Sequence, residues 1–282
     1  MVENGRAYLD RECPEHGPCR FQLSVHGEDY ADLDRFYFEL MHEEGTTGRL
    51  TNYLVFMTPD CQLNCPYCAA KQEPSFFHAM DLDQFRQALA AADGSKISLT
   101  GGEPTIHPQF FAFLEEAQRQ GIALHVATNG AKLASREFCQ RLKDLGVIEV
   151  RLSIDSLDPA DFPGLGQPRM HEAKLEALRN LEAVDLATTL SPTIFKNGNE
   201  PQLIAALEYA KGHTFVRSFS VNGFAWNAAG RRLDRGQMIM PDEMMDILMQ
   251  AYYDGDRKDA YTLQKLLLAA MHVLHIRLCL YT

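Results

Sequence analysis

Basic residues are in short supply in this chain. Across 282 residues, 27 Lys and Arg stand against 38 Asp and Glu, a formal net charge of −11. A chain of that sign repels a polyanion at long range, which argues against nucleic acid as a partner on bulk charge. The cations are scattered, with GRRLDR the densest group, so a local pocket for a small anionic group stays open. Long apolar runs are missing too. None approaches the roughly 18–20 residues that span a bilayer, so no transmembrane segment is expected. The opening stretch MVENGRAYLDRECPEHG has no apolar centre of the kind a secretory signal needs. A cytoplasmic protein is expected. Internal repeats and low-complexity segments are also absent.

Hydrophobic residues make up 46% of the chain and charged residues 23%, ordinary globular values that predict a sizeable buried core. Two short β-like stretches, RAYLD and RFQLSVHG, flank CPEHGPC, and DYADLDRFYFELMHEE follows with apolar residues at helical spacing. Strand candidates then recur at 52–57, 96–100, 123–128, 148–154, 186–194 and 215–221, separated by helical segments such as DLDQFRQALAAA and EAKLEALRNLEAV. Six strands alternating with helices predict an α/β fold with a parallel sheet, doubly wound or curled toward a barrel, with functional residues at the C-terminal strand ends. After about position 235 the pattern turns helical. The expected organisation is an N-terminal extension (1–48), a central domain (49–235) and a helical C-terminal segment (236–282).

Cysteine is unevenly placed. Seven stand at 13, 19, 61, 65, 68, 139 and 279. In TPDCQLNCPYC, residues 58–68, the C-x3-C-x2-C spacing is too tight for mutual disulfides and suits thiolates gathered round a metal. No fourth cysteine is within reach. Three thiolates hold three irons of a [4Fe–4S] cluster, whereas clusters used only for electron transfer normally have four protein ligands. The fourth iron is left to bind something else. Pro59 and Pro66 favour a non-helical loop, and Tyr67 is placed to shield a cluster from water. The residues alone leave structural zinc with a distant His, or buried small hydrophobes, as other readings. Cys139 and Cys279 read as buried small residues.

Other polar groups fall at the ends of later strands. In LTGGEPTIHP, Gly101 and Gly102 admit close backbone approach to a ligand, and Glu103, followed by Pro104, offers a carboxylate to an ammonium group; a Gly-rich turn is the plainer reading. ATNG places Thr128 and Asn129 after the third strand, where Asn-Gly is also an ordinary turn signal. In RLSIDS, alternation puts Ser153 and Asp155 on one face and Leu152 and Ile154 on the other. Asn199 either faces the site or caps a helix.

Taken together, these motifs resemble the radical S-adenosylmethionine enzymes, whose signature is C-x3-C-x2-C with an aromatic before the last cysteine. The resemblance implies a partial (β/α)6 TIM-type barrel, with a small N-terminal β extension and a helical C-terminal segment added here. It implies that Cys61, Cys65 and Cys68 hold a [4Fe–4S] cluster whose open iron is chelated by S-adenosylmethionine. One electron then cleaves the sulfonium, giving a 5′-deoxyadenosyl radical that abstracts hydrogen from substrate. Gly101, Gly102, Glu103, Pro104, Thr128, Asn129, Ser153, Asp155 and Asn199 are the residues it implies for the cosubstrate. A reductant such as flavodoxin or ferredoxin is the implied partner, with a small-molecule or lipid-like substrate. A non-catalytic iron–sulfur electron carrier and a zinc-stabilised binding module are the competing readings.

NGRAYLDRECPEHGPCRF is similar, more loosely, to a segment of the tetraether-lipid-synthase-like and methanopterin-methylase-like subgroup. There a C-x2-C pair precedes C-P-x-H-G in a rubredoxin-like knuckle. The sequence starts after the point where that pair would lie, and Cys13, His16 and Cys19, three ligands within seven residues, need a fourth from elsewhere to complete a metal site.

Overall fold

Strand and helix alternate from Asn52 onward because short runs repeat apolar residues every second position and longer runs every third or fourth. The computed structural model describes residues 1–15, 17–42, 52–68, 70, 78–92, 96–162, 164–224, 226, 233–252 and 259. His16, the Gly-Arg-Arg of GRRLDR and the tail from 260 to 282, Cys279 included, lie outside the described residues. The chain divides into two compact units, one of Leu50–Met238 and one joining Met1–Arg49 to Ile239–Thr282.

In the second of these, β1 (Val2–Glu3), β2 (Arg6–Cys13) and β3 (Gly17–Ser24) form an antiparallel sheet, and α1 (Gly27–His42) follows. Cys13 pairs with Gly17 and Cys19 with Arg11, so both cysteines lie on one face of the hairpin, two pairs apart. The Asp242 carboxylate accepts from Ser24 Oγ at 2.6 Å, Val25 N at 2.7 Å and His26 N at 3.0 Å, tying the C-terminal helix of the unit to the β3–α1 turn.

The larger unit runs β4 (Asn52–Phe56), α2 (Leu82–Ala92), β5 (Lys96–Thr100), α3 (Phe110–Arg119), β6 (Leu124–Thr128), α4 (Arg136–Asp144), β7 (Val147–Ser153), α5 (His171–Ala183), β8 (Thr188–Ser191), β9 (Thr193–Ile194), α6 (Pro201–Gly212), β10 (Val216–Phe219) and β11 (Asn222–Gly223). Helix α7 (Pro241–Tyr252) belongs to the smaller unit. The sheet order is β10-β8-β7-β6-β5-β4, every pair parallel. Because the order never reverses, right-handed crossovers place the intervening helices on one face, as in a barrel and unlike a doubly wound sheet. Among the described residues, strands β4 and β10 are the open edges of this sheet, so the barrel is partial.

The helix-facing side is apolar. Val55, Ile97, Leu99, Val126, Val150, Leu152 and Leu190 are buried in one core with Phe85, Phe113, Leu114, Leu142, Ala177 and Leu181. Full burial of each such side chain contributes about 1.5–3 kcal/mol. The opposite face is polar, carrying Ser98, Thr100, His125, Glu149, Arg151, Ser153 and Thr189 on the alternate positions. The strand expected at 186–194 is two strands in two sheets. Pro192 separates β8 from β9, since proline cannot donate to a ladder.

On the polar face, Glu149 stands 3.4 Å from the His125 ring and accepts from the Thr189 hydroxyl. Chiefly through His125, its carboxyl is held at about 2 rather than 4.5. A depressed carboxyl pKa contributes stability that is present above pH 4.5 and lost as pH falls toward 2. Glu149→Gln is therefore expected to cost on the order of 1 kcal/mol near pH 6, less than the full shift because the group is partly exposed. Urea unfolding across that acid range should show the gap to wild type closing. A gap independent of pH contradicts this account.

Candidate active site

The cysteine loop is built on the end of β4 and stapled to the end of β5. Gly102 N donates to Thr58 O at 2.7 Å, and Glu103 N donates to Asp60 O at 2.8 Å. A Cβ on Gly101 would meet Thr58 O at 2.5 Å, and one on Gly102 would meet Asp60 O at 2.3 Å. The paired glycines therefore admit the cysteine loop's own backbone, a role in addition to the close approach to a ligand expected of them.

Cys61, Cys65 and Cys68 share the wall of a cavity of about 410 Å³ at the C-terminal strand ends. The expected Gly101, Gly102, Glu103, Thr128, Asn129, Ser153 and Asp155 line the same cavity. Pro104 and Asn199 do not. Pro104 is buried in a short 3-10 turn that Glu103 caps. Asn199 neither caps α6 nor faces this space. Its Nδ2 donates to Asp155 O at 2.7 Å and Thr193 O at 2.9 Å, and its Oδ1 accepts from Phe195 N at 2.8 Å. With every polar atom of its side chain engaged by backbone, it clamps the β9–α6 loop, beside a second cavity of about 310 Å³ lined by Pro66, Tyr67, Phe195 and Leu233.

Glu103 is 1% exposed. Its Oε1 accepts from Thr105 N, Thr105 Oγ1 and Thr128 Oγ1, and its Oε2 from Asn129 N at 2.7 Å. Burial pushes its pKa up, and these donors oppose the shift. Oε2 keeps room for one further donor.

Asp155 is the hub of the opposite wall. Its Oδ2 accepts from Tyr67 OH at 2.6 Å and Gln167 Nε2 at 3.2 Å, and its Oδ1 from Thr193 N at 2.8 Å. The break between β8 and β9 frees that last N–H. Burial and Asp155 hold the Tyr67 hydroxyl far above its ordinary pKa, so it remains a donor. Its ring meets Phe195 edge-on at 4.8 Å.

Gln167, Lys174 and Arg151 also line the cavity, and sequence reasoning missed all three. Lys174 is 1% exposed and donates to Ser153 O at 2.8 Å. Burial lowers its pKa, while Asp155, Cys65 and Glu103 oppose that. A signal was present: Lys174 occupies the same helical stripe as the buried Ala177, Leu178 and Leu181. Arg151 extends the Ser153–Asp155 alternation two residues back. Gln167, in an irregular loop, carries no such mark.

The donor set fits an iron–sulfur cluster. Leu63 N at 3.4 Å and Asn129 Nδ2 at 3.7 Å point at Cys61 Sγ, and Gln167 Nε2 at 3.3 Å points at Cys65 Sγ. Such N–H donors suit thiolate sulfur. Burial raises both thiols, so a positive metal group is what would deprotonate them. Among the described residues, no three His, Cys, Asp or Glu side chains are gathered for a single metal ion. A cluster differs in that each thiolate takes its own iron.

The family model described as "Radical SAM superfamily" matches residues 55–210. The chain is 29% identical over 214 residues to a GTP 3′,8-cyclase of Campylobacter jejuni, covering 73% of this chain and 65% of that protein. It is 30% identical over 177 residues to the GTP 3′,8-cyclase of Nitrobacter hamburgensis, covering 58% and 51%. The chain thus spans at most 65% of the length of these curated relatives. In fold it is similar to Streptococcus suis SuiB bound to precursor peptide SuiA, with a TM-score of 0.60 at 16% identity, covering 84% of this chain and 50% of that one. Among the described residues no helix is long and apolar enough to cross a membrane.

Proposed function

This chain belongs to the Radical SAM superfamily, enzymes that bind a [4Fe–4S] cluster and S-adenosylmethionine, and on that premise we propose how its residues divide the work. Cys61, Cys65 and Cys68 hold the cluster. Gly102 and Gly101 let the cysteine loop close onto β5. Glu103, with one position left on Oε2, accepts from the amino group of the cosubstrate, and Thr128 and Asn129 fix that carboxylate in place. Ser153 faces the cosubstrate directly, while Asp155 orients Tyr67 and Gln167 beside Cys65. Tyr67 and Phe195 keep water from that side. When bound, the reduced cluster supplies the electron that cleaves S-adenosylmethionine to the 5′-deoxyadenosyl radical, which takes hydrogen from substrate. The reductant is a flavodoxin- or ferredoxin-class protein, and the substrate is a small or lipid-like molecule.

The observation that carries this reading is convergence. Three thiols, with no fourth lining the cavity among the described residues, and the polar ends of β5, β6 and β7 meet in one cavity of about 410 Å³. That size suits a ligand-binding cleft. Anaerobic reconstitution is expected to give about four irons per chain, and reduction with S-adenosylmethionine present should yield 5′-deoxyadenosine. An electron carrier would cycle without responding to S-adenosylmethionine. A zinc module would stay colourless. Either result removes the proposal.

A further inference from the structure

The cavity holds two permanent or near-permanent cations, and they are used differently. Lys174 is buried, bonded to Ser153 O, and sits in the field of Asp155, Cys65 and Glu103. It balances the protein's own anions. Arg151 is exposed within the cavity and makes no ion pair among the described residues. Nearby acids are already committed. Glu103 accepts four hydrogen bonds and Asp155 three through its carboxylate, while Glu149 is answered by His125 and Thr189. Its cross-strand neighbours are Ala127 on β6 and Thr189 on β8, and Ala127 is too short to cover it.

A guanidinium cannot shed its charge, so any molecule that displaces water from around Arg151 has to answer that charge itself. In a chain of net charge −11, an arginine that lines the cavity without an ion pair among the described residues leaves its charge available to an anionic occupant. Its depth says which one. Arg151 lies two residues, roughly 7 Å, down β7 from Ser153, below the strand-end layer that carries the thiols and Glu103. We propose that Arg151 is the anchor for an oxyanion of the substrate, a carboxylate or a phosphate, held by the fork of its guanidinium beyond the cosubstrate. The proposal rests on the enzyme reading above and narrows the substrate to an anionic molecule.

The test uses the full chain, reconstituted anaerobically, with saturating S-adenosylmethionine. Inorganic pyrophosphate and succinate are titrated separately by calorimetry into wild type, Arg151→Gln and Arg151→Lys, and S-adenosylmethionine affinity is measured for each. Wild type is expected to bind at least one anion. Arg151→Gln should weaken that binding tenfold or more, Arg151→Lys less, and neither should shift S-adenosylmethionine affinity more than about twofold, since a bidentate fork and not charge alone is lost with Lys. The idea is overturned if wild type binds neither anion, or if Arg151→Gln binds them equally well. It is also overturned if Arg151→Gln weakens S-adenosylmethionine tenfold, because the occupant is then the methionyl carboxylate. Failure of wild type to bind S-adenosylmethionine at all would instead strike the enzyme reading, and anion titration without it still judges Arg151.

Discussion

Asp155→Asn is expected to destabilise the larger unit by about 2–4 kcal/mol, although it changes only one oxygen to an NH2 group. Asp155 is 3% exposed, and three donors converge on its carboxylate. An amide carries one acceptor. With its oxygen toward Tyr67 and Gln167, its NH2 faces the Thr193 N–H, and two donors oppose each other. Turned over, it satisfies Thr193 and sets its NH2 against Gln167 Nε2. Gln167 has an escape, because its Oε1 is buried without a partner and a flipped amide would present it. That flip withdraws the donor now 3.3 Å from Cys65 Sγ. The second cost is charge. Lys174, buried with Asp155 as the strongest favourable charge around it, loses that compensation. Denaturant unfolding of Asp155→Asn, Lys174→Met and the pair should therefore be non-additive, with the double variant less damaged than the sum. Additivity would show that Lys174 is balanced elsewhere, and a cost of Asp155→Asn below about 1 kcal/mol would mean that the hub relaxes freely.

How much of this was legible in the sequence depends on the distance a signal has to travel. The cysteine triple, Glu103 and the Ser153–Asp155 alternation are each written into a few consecutive residues at a strand end, and the fold places them together. Period-two and helical spacing are local as well, so the six parallel strands were readable, with boundaries off by a residue or two. Pro192 announces the break between β8 and β9, yet its consequence, a backbone N–H delivered to Asp155, appears only when residue 193 meets residue 155. The contacts of Tyr67 with Asp155 and of Gln167 with Cys65 join residues 88 and 102 positions apart, and no local pattern encodes them. Asn199 is a different case: its place before a helix suggested a cap or a ligand, and the structure adds that three backbone groups engage its side chain. Alternation alone fits both a doubly wound sheet and a barrel; the resemblance carried by the motifs implied the barrel, and the unreversed strand order agrees with it.

Gly102→Ala is expected to be as damaging as the loss of a cluster ligand, for a reason that contains no chemistry. The added methyl would sit 2.3 Å from Asp60 O, 2.5 Å from Pro59 O and 2.7 Å from Asp60 C. All three are backbone atoms, so no rotamer change relieves the clash. To restore ordinary contact, the segment just before Cys61 must withdraw by roughly 1 Å, and overpacking of this kind costs about 1–3 kcal/mol or more. Withdrawal also stretches the bonds from Gly102 N to Thr58 O and from Glu103 N to Asp60 O, which hold the cysteine loop against β5. Cys61 is the next residue along, so its sulfur moves with the loop. Gly212→Ala is the matched control, because a Cβ there meets nothing within 4 Å and the residue lies in α6 without a left-handed φ. It should be neutral or slightly stabilising. Iron content after anaerobic reconstitution, together with thermal unfolding of the apoprotein, separates the two effects: Gly102→Ala should lower both, and Gly212→Ala neither. If Gly102→Ala loads iron as wild type does, the loop yields without consequence, and the staple between β4 and β5 does not position the thiols.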